Sequence, residues 1–151
     1  GNQSLLPFFA QSQLQQPHDY VVYVFDRRKP DAAPALKDSL DMHAGQSETS
    51  KMMIARPDTV HMDRANQESG ADENRQKLPP EVYTGIWWYA RFPNHYSGNG
   101  SLATKEIGQS QMNWWIKSLV DVIKAVKADD ASLRLQNEFY EGSKHPLDTK
   151  Q

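Results

Sequence analysis

The sequence predicts an α/β fold, and three observations carry that expectation. Residues 2–16 space Leu5, Leu6, Phe9, Ala10 and Leu14 along one helical face. After Pro17 comes Tyr20-Val21-Val22-Tyr23-Val24-Phe25, a β-branched and aromatic run without polar alternation. Such a run suits a strand buried on both faces of a parallel sheet, and helix, turn and strand together form half of an α/β unit. Residues 103–127 then repeat Ile107, Trp115, Leu119, Val122 and Val126 at helical intervals, with Lys105, Gln109, Lys117, Asp121 and Lys124 mostly opposite.

The remaining elements follow from local chemistry. Pro7 is tolerated in the first turns of the leading helix, where an N–H has no partner to lose. Residues 26–39 are charged and broken by Pro30 and Pro34, which reads as a surface loop with a short helix at 35–39. Residues 46–56 read as a helix, with Ser47 as N-cap, Glu48 in the first turn and Met52, Met53 and Ala55 on its apolar side; Pro57 ends it. The polar stretch 66–80 reads as a long loop, 86–92 as a strand or an aromatic loop, and 93–100 as turns. Two regions result: 1–130, read as the C-terminal part of a domain, and 131–151, a polar C-terminal extension.

With 151 residues there is room for one domain. Seventeen Lys and Arg against 19 Asp and Glu give a net charge of −2, which argues against a basic field for nucleic acid or an anionic membrane. No apolar run approaches the ~18 residues of a membrane span. The absence of cysteine excludes a disulfide scaffold, a thiolate zinc site and a cysteine nucleophile. No secretory signal is visible at the N-terminus. Gly1-Asn2-Gln3, without an initiating Met, reads like the middle of a longer chain, which leaves the compartment open.

Chemistry concentrates in Asp41-Met42-His43-Ala44-Gly45-Gln46-Ser47-Glu48-Thr49-Ser50. A loop histidine and a first-turn carboxylate five residues apart can converge on one point. That pairing serves a metal with its acid/base group, or a histidine oriented by a carboxylate. The plainer alternative is that Ser47 and Glu48 cap the helix while His43 bonds backbone.

This decad resembles the creatininase (creatinine amidohydrolase) family motif His-Ala/Gly-Gly-x-x-Glu-Thr-Ser. Met52-Met53-Ile54-Ala55-Arg56-Pro57-Asp58-Thr59-Val60 resembles the apolar helix that follows it. Gly100-Ser101-Leu102-Ala103-Thr104-Lys105-Glu106-Ile107-Gly108 resembles a later helix start, and Gly1-Asn2 the tail of an Asn-Gly-His-Gly-Gly-Asn motif. The matches run in order from residue 1 to about residue 127, and the decad is the specific one.

The resemblance implies a metal-dependent amidohydrolase on a three-layer α/β/α sandwich with a mostly parallel sheet, of which this chain supplies the C-terminal part. Two divalent ions, zinc or manganese, would activate a water against a cyclic or linear amide. By the same resemblance His43 is the catalytic residue beside the metals, and Glu48 is a metal ligand or an anchor for one. The family's Glu-x-His, Asp and Gly-His-Gly ligands lie upstream of Gly1, so the chain alone is expected to be inactive. A Glu at position 1 and a Trp at position 39 mark creatininase itself; Gly1 and Ser39 stand there instead, which turns the expectation away from creatinine. The resemblance also implies a homo-oligomer, a hexamer, acting on a small-molecule amide in the cytoplasm, with a periplasmic or secreted setting open. The competing expectation is a non-catalytic scaffold or ligand-binding member of the same fold.

Other residues carry plainer expectations. His18 and His145 read as solvated. His61-Met62-Asp63 would share a strand face but has no third partner, and Trp114-Trp115 reads as core. His95, near Trp87-Trp88, reads as loop packing or as the wall of a substrate pocket.

Overall fold

A computed structural model describes residues 5–25 and 34–148, and helices organise them. They are α1 (Leu6–Ser12), α2 (Gln46–Ala55), α3 (Trp87–Arg91), α4 (Lys105–Ala128) and α5 (Ser132–Lys144), with short 3-10 turns between. Among the described residues there is no strand and no sheet. The β-type pairings are two isolated antiparallel bridges, His43 with Ser97 and Gly70 with Gly98.

The expected three-layer α/β/α sandwich with a mostly parallel sheet is thereby overturned. Residues 21–25 carry no helix or strand assignment, and no ladder partner lies beside them. β-Propensity prepares a residue for a pleated surface, but a strand exists only through a neighbour. Here side chains take the preceding carbonyls: Gln136 Nε2 donates to Tyr20 O at 3.0 Å and to His18 O at 3.4 Å. Residues 35–39 form bends rather than a short helix, and 86–92 form α3 rather than a strand. The Gly1-Asn2 match and most of the 26–39 loop lie outside the described residues.

The described residues fall into two units. One draws on the Gly1–Asp31 and Ser118–Gln151 stretches, the other on Ala32–Lys117. In the first, α5 holds the N-terminal segment through side chains. Tyr140, 8% exposed, donates its hydroxyl to Gln13 O at 3.0 Å and also to Gln16 O. Asp129 sets the start of α5, accepting from Ala131 N–H at 2.8 Å and Ser132 N–H at 3.2 Å, while Tyr23 Oη donates to its other oxygen at 2.7 Å. Hydrogen bonds from Ser132 and then from Tyr23 hold its carboxyl well below the usual carboxylate range. A depressed carboxyl adds stability that is complete above the ordinary range near pH ~4 and is lost as acid titrates the folded form. Asp129→Ala is therefore expected to lower the thermal midpoint and the α5 helicity at neutral pH. Circular dichroism across a pH series should show the gap from the parent closing only in strong acid.

The second unit has a polar interior. Gln46 and Ser50 are fully buried and Gln111 is 5% exposed. Gln46 Oε1 accepts from Lys37 N–H at 2.8 Å and its Nε2 donates to Leu102 O at 2.9 Å. Ser47 Oγ donates to Gln111 Oε1 at 2.7 Å, and Ser50 Oγ accepts from Thr104 N–H at 3.0 Å. Buried polar atoms persist when each is paired, and these bonds lock α2 to the start of α4. The expected apolar side of α2 is thus overturned: Met52 is 40% exposed, and polar residues face inward. Phe92, from the C-terminal end of α3, is the apolar anchor at 0% exposure.

Candidate active site

The segment 41–49 is shaped by what its helix start requires. The first N–H groups of α2 lack intrahelical partners, and the N-cap residue Gly45 has no side chain to satisfy them. Asp41 does so from outside, its Oδ1 accepting from Ser47 N–H at 3.0 Å. Ser47, expected as the cap, is instead inside the helix. A Cβ at Gly45 would fall 2.3 Å from that Asp41 oxygen, so only glycine lets the carboxylate reach the helix.

Ala44 adopts φ +55°, in the left-handed region. This turn aims its N–H at Glu48 Oε2, 2.8 Å away, and its carbonyl accepts from Thr49 Oγ1 at 3.0 Å. His43 Nδ1 stands 3.2 Å from the same Glu48 oxygen. A carboxylate oxygen accepts, so this contact favours the ring proton on Nδ1. Nε2 is the ring nitrogen that Glu48 does not face. Glu48 Oε1 has no partner among the described residues. Both side chains are about half exposed, which leaves the pair open to a ligand.

The His43 backbone is fixed from the far side by the bridge to Ser97: Met42 and His43 N–H both donate to Ser97 O at 3.0 Å, and Ser97 N–H returns a bond to His43 O at 2.9 Å. Ser97 is fully buried, and its Oγ has no partner among the described residues. A buried hydroxyl left unpaired is destabilising by ~1–3 kcal/mol. Ser97→Ala should accordingly raise the unfolding midpoint in denaturant, by about 1 kcal/mol of stability, with the His43–Glu48 pair retained.

Beside the pair lies a cleft of about 530 Å³ lined in part by Glu48, Met52, Val60, His61, Arg64, Glu68 and Tyr96. His61 and Arg64 reach it from the loop that follows α2, His61 immediately preceding the 3-10 turn Met62–Arg64 rather than sitting on a strand. Glu68, which the sequence gave no reason to single out, lines it too. Its Oε2 accepts from Asn94 Nδ2 at 3.3 Å. Trp88, on α3, meets His43 in an edge-type ring contact, centroids 6.4 Å apart, and donates its Nε1–H to His95 Nδ1 at 3.0 Å. His18 stacks on Tyr20 and His145 is exposed, both in the other unit. Trp114 and Trp115 pack edge to face on α4 with centroids 5.7 Å apart.

Divalent ions need several such side chains converging. Among the described residues no group of three or more His, Asp or Glu comes together to hold a metal. Glu48 offers one unengaged carboxylate oxygen, and one oxygen does not make a site. The described residues alone therefore do not fit the two-ion centre that the resemblance implies.

The structure thus sets an imidazole Nδ1 beside a carboxylate that lines a cleft. The chain matches the family model Creatininase, creatinine amidohydrolase, over residues 1–123, and it belongs to that family. No curated protein and no solved structure matches it. Among the described residues no helix is long and apolar enough to cross a membrane.

Proposed function

We propose that this chain carries the proton-transfer part of an amide-hydrolysing site, with His43 as the acid/base group. The observation that supports this reading is the His43–Glu48 pair, held at 3.2 Å by a left-handed Ala44 inside the family-matched segment. Glu48 faces Nδ1, and Nε2 takes a proton from the attacking water as the carbon–oxygen bond forms and passes it to the leaving nitrogen of a small amide as the carbon–nitrogen bond breaks. Cleavage of the carbon–nitrogen bond needs that proton, because an amide anion is too basic to leave unaided. A divalent metal held by residues beyond those described would polarise the carbonyl and acidify its water.

Glu48→Gln tests the reading. The substitution keeps size and one acceptor but replaces the carboxylate. Turnover of an amide substrate by the full-length protein is expected to fall ~10–100-fold, the range for a lost orienting partner. The thermal midpoint should move little, since the pair is half exposed. Near-normal turnover in a folded Glu48→Gln protein would favour a ligand-binding or scaffold role instead.

A further inference from the structure

We propose that Trp88 is a positioning residue for His43, and that His95 is what holds Trp88 in place. The inference rests on the proton-transfer reading of His43 and adds the second contact that an oriented imidazole needs. Glu48 touches one edge of the ring, at Nδ1; a single contact of this kind leaves the ring free to swing about it. Trp88 supplies the other restraint, its indole meeting the imidazole at an interplanar angle of 66° and a centroid distance of 6.4 Å. Aromatic rings at such distances favour edge-to-face contact.

Three contacts fix the indole. It leans on Phe92, the fully buried anchor, at 5.1 Å and on Trp87 at 5.3 Å. Its Nε1–H donates to His95 Nδ1 at 3.0 Å. An indole nitrogen only donates, so His95 must present a bare Nδ1 and carry its proton on Nε2. The two histidines flanking Trp88 thus differ: the indole requires the proton on Nε2 of His95, whereas the carboxylate beside His43 favours it on Nδ1. His95 itself sits at φ +61°, with its N–H bonded to Phe92 O at 3.0 Å. Left-handed backbone is uncommon for a residue other than glycine, and histidine, asparagine and aspartate adopt it more readily than most. The turn that aims Nδ1 at the indole is therefore held in an unfavourable conformation by its surroundings.

The experiment uses the full-length protein labelled with ¹⁵N. Imidazole ring spectra report the tautomers of His43 and His95, and the indole N–H signal reports Trp88. Two variants remove the restraint: Trp88→Phe keeps an aromatic ring without the donor, and His95→Ala removes the acceptor. His95→Asn restores an acceptor near the Nδ1 position in a residue suited to left-handed backbone. The expected result is that Trp88→Phe and His95→Ala both abolish the single-tautomer signature of His43, with kcat on an amide down ~10-fold and KM unchanged. His95→Asn should return the signature and the rate. A His43 signature unmoved in both variants overturns the positioning role, even where His43→Ala is inactive. A signature that moves while turnover holds upholds the positioning and removes the proton-transfer reading instead. Should His95→Ala lose the native amide spectrum, Trp88→Phe and His95→Asn decide.

Discussion

His43→Ala is expected to lower turnover of an amide substrate by ~10²–10⁴-fold, the usual loss when a general acid/base group is removed. Stability should hardly change, because the imidazole is half exposed and its backbone, not its ring, makes the bridge to Ser97. The loss should appear in kcat and in kcat/KM alike, since a proton moved in the transition state contributes little to ground-state binding. Metal content of the full-length protein should be unaffected, because an acid/base group moves protons and is not a ligand. Steady-state kinetics with elemental analysis on the same preparation check both statements. A variant that keeps its rate, or loses metal together with rate, is incompatible with an acid/base role for His43.

The second large effect concerns packing. Gly108, in the first turns of α4, passes so close to α2 that a Cβ there would fall 2.0 Å from Ser50 O and 2.6 Å from the Ser50 carbonyl carbon. Both are backbone atoms, so no side chain can turn aside. In an isolated helix, alanine would be better than glycine by up to ~1 kcal/mol. Here Gly108→Ala must push α4 from α2 and strain the Ser50–Thr104 bond, at the upper end of overpacking penalties, about 3 kcal/mol. The two effects have opposite signs, so the direction alone is decisive. Denaturant titration should show a lower midpoint; a midpoint at or above the parent's would mean that the helices do not meet as described.

Much of the helical part was legible because helix signals are local. The period of Ile107, Trp115 and Leu119 marks α4, and Glu48 with Pro57 brackets α2. α3 was not, since Trp87, Trp88 and Tyr89 are intrinsically strand-prone. Five residues turn helical there because Trp88 and Phe92, one turn apart, pack on each other with Phe92 buried. α5 was hidden by composition: its inward residues are Gln136 and Tyr140, whose polar atoms bind carbonyls of the N-terminal segment. The strand at 20–25 was expected on propensity, and propensity says nothing of whether a neighbouring strand exists. At the site, the spacing of His43 and Glu48 foretold their meeting. The reach of Asp41 over the helix start was not foretold, because it spans six residues, beyond the usual capping interval. The link from Trp88 to His95 depends on a left-handed turn that no pattern of residue types announces.

The left-handed backbone at Ala44 also acts as a filter on sequence drift. An L-residue in that region gives up ~1–2 kcal/mol relative to its ordinary conformation, and a branched side chain would give up more. Glycine escapes the penalty, and asparagine and aspartate bear less of it than most residues with a Cβ. Position 44 is therefore biased towards few residues by chirality alone, glycine first among them, before any demand of chemistry. Of the family motif's two choices after the histidine, glycine suits that turn directly and alanine accepts the penalty without a branch at Cβ. What looks like a catalytic signature in the letters His-Ala-Gly is, in its second letter, a record of which way the chain must turn for a backbone N–H to meet Glu48.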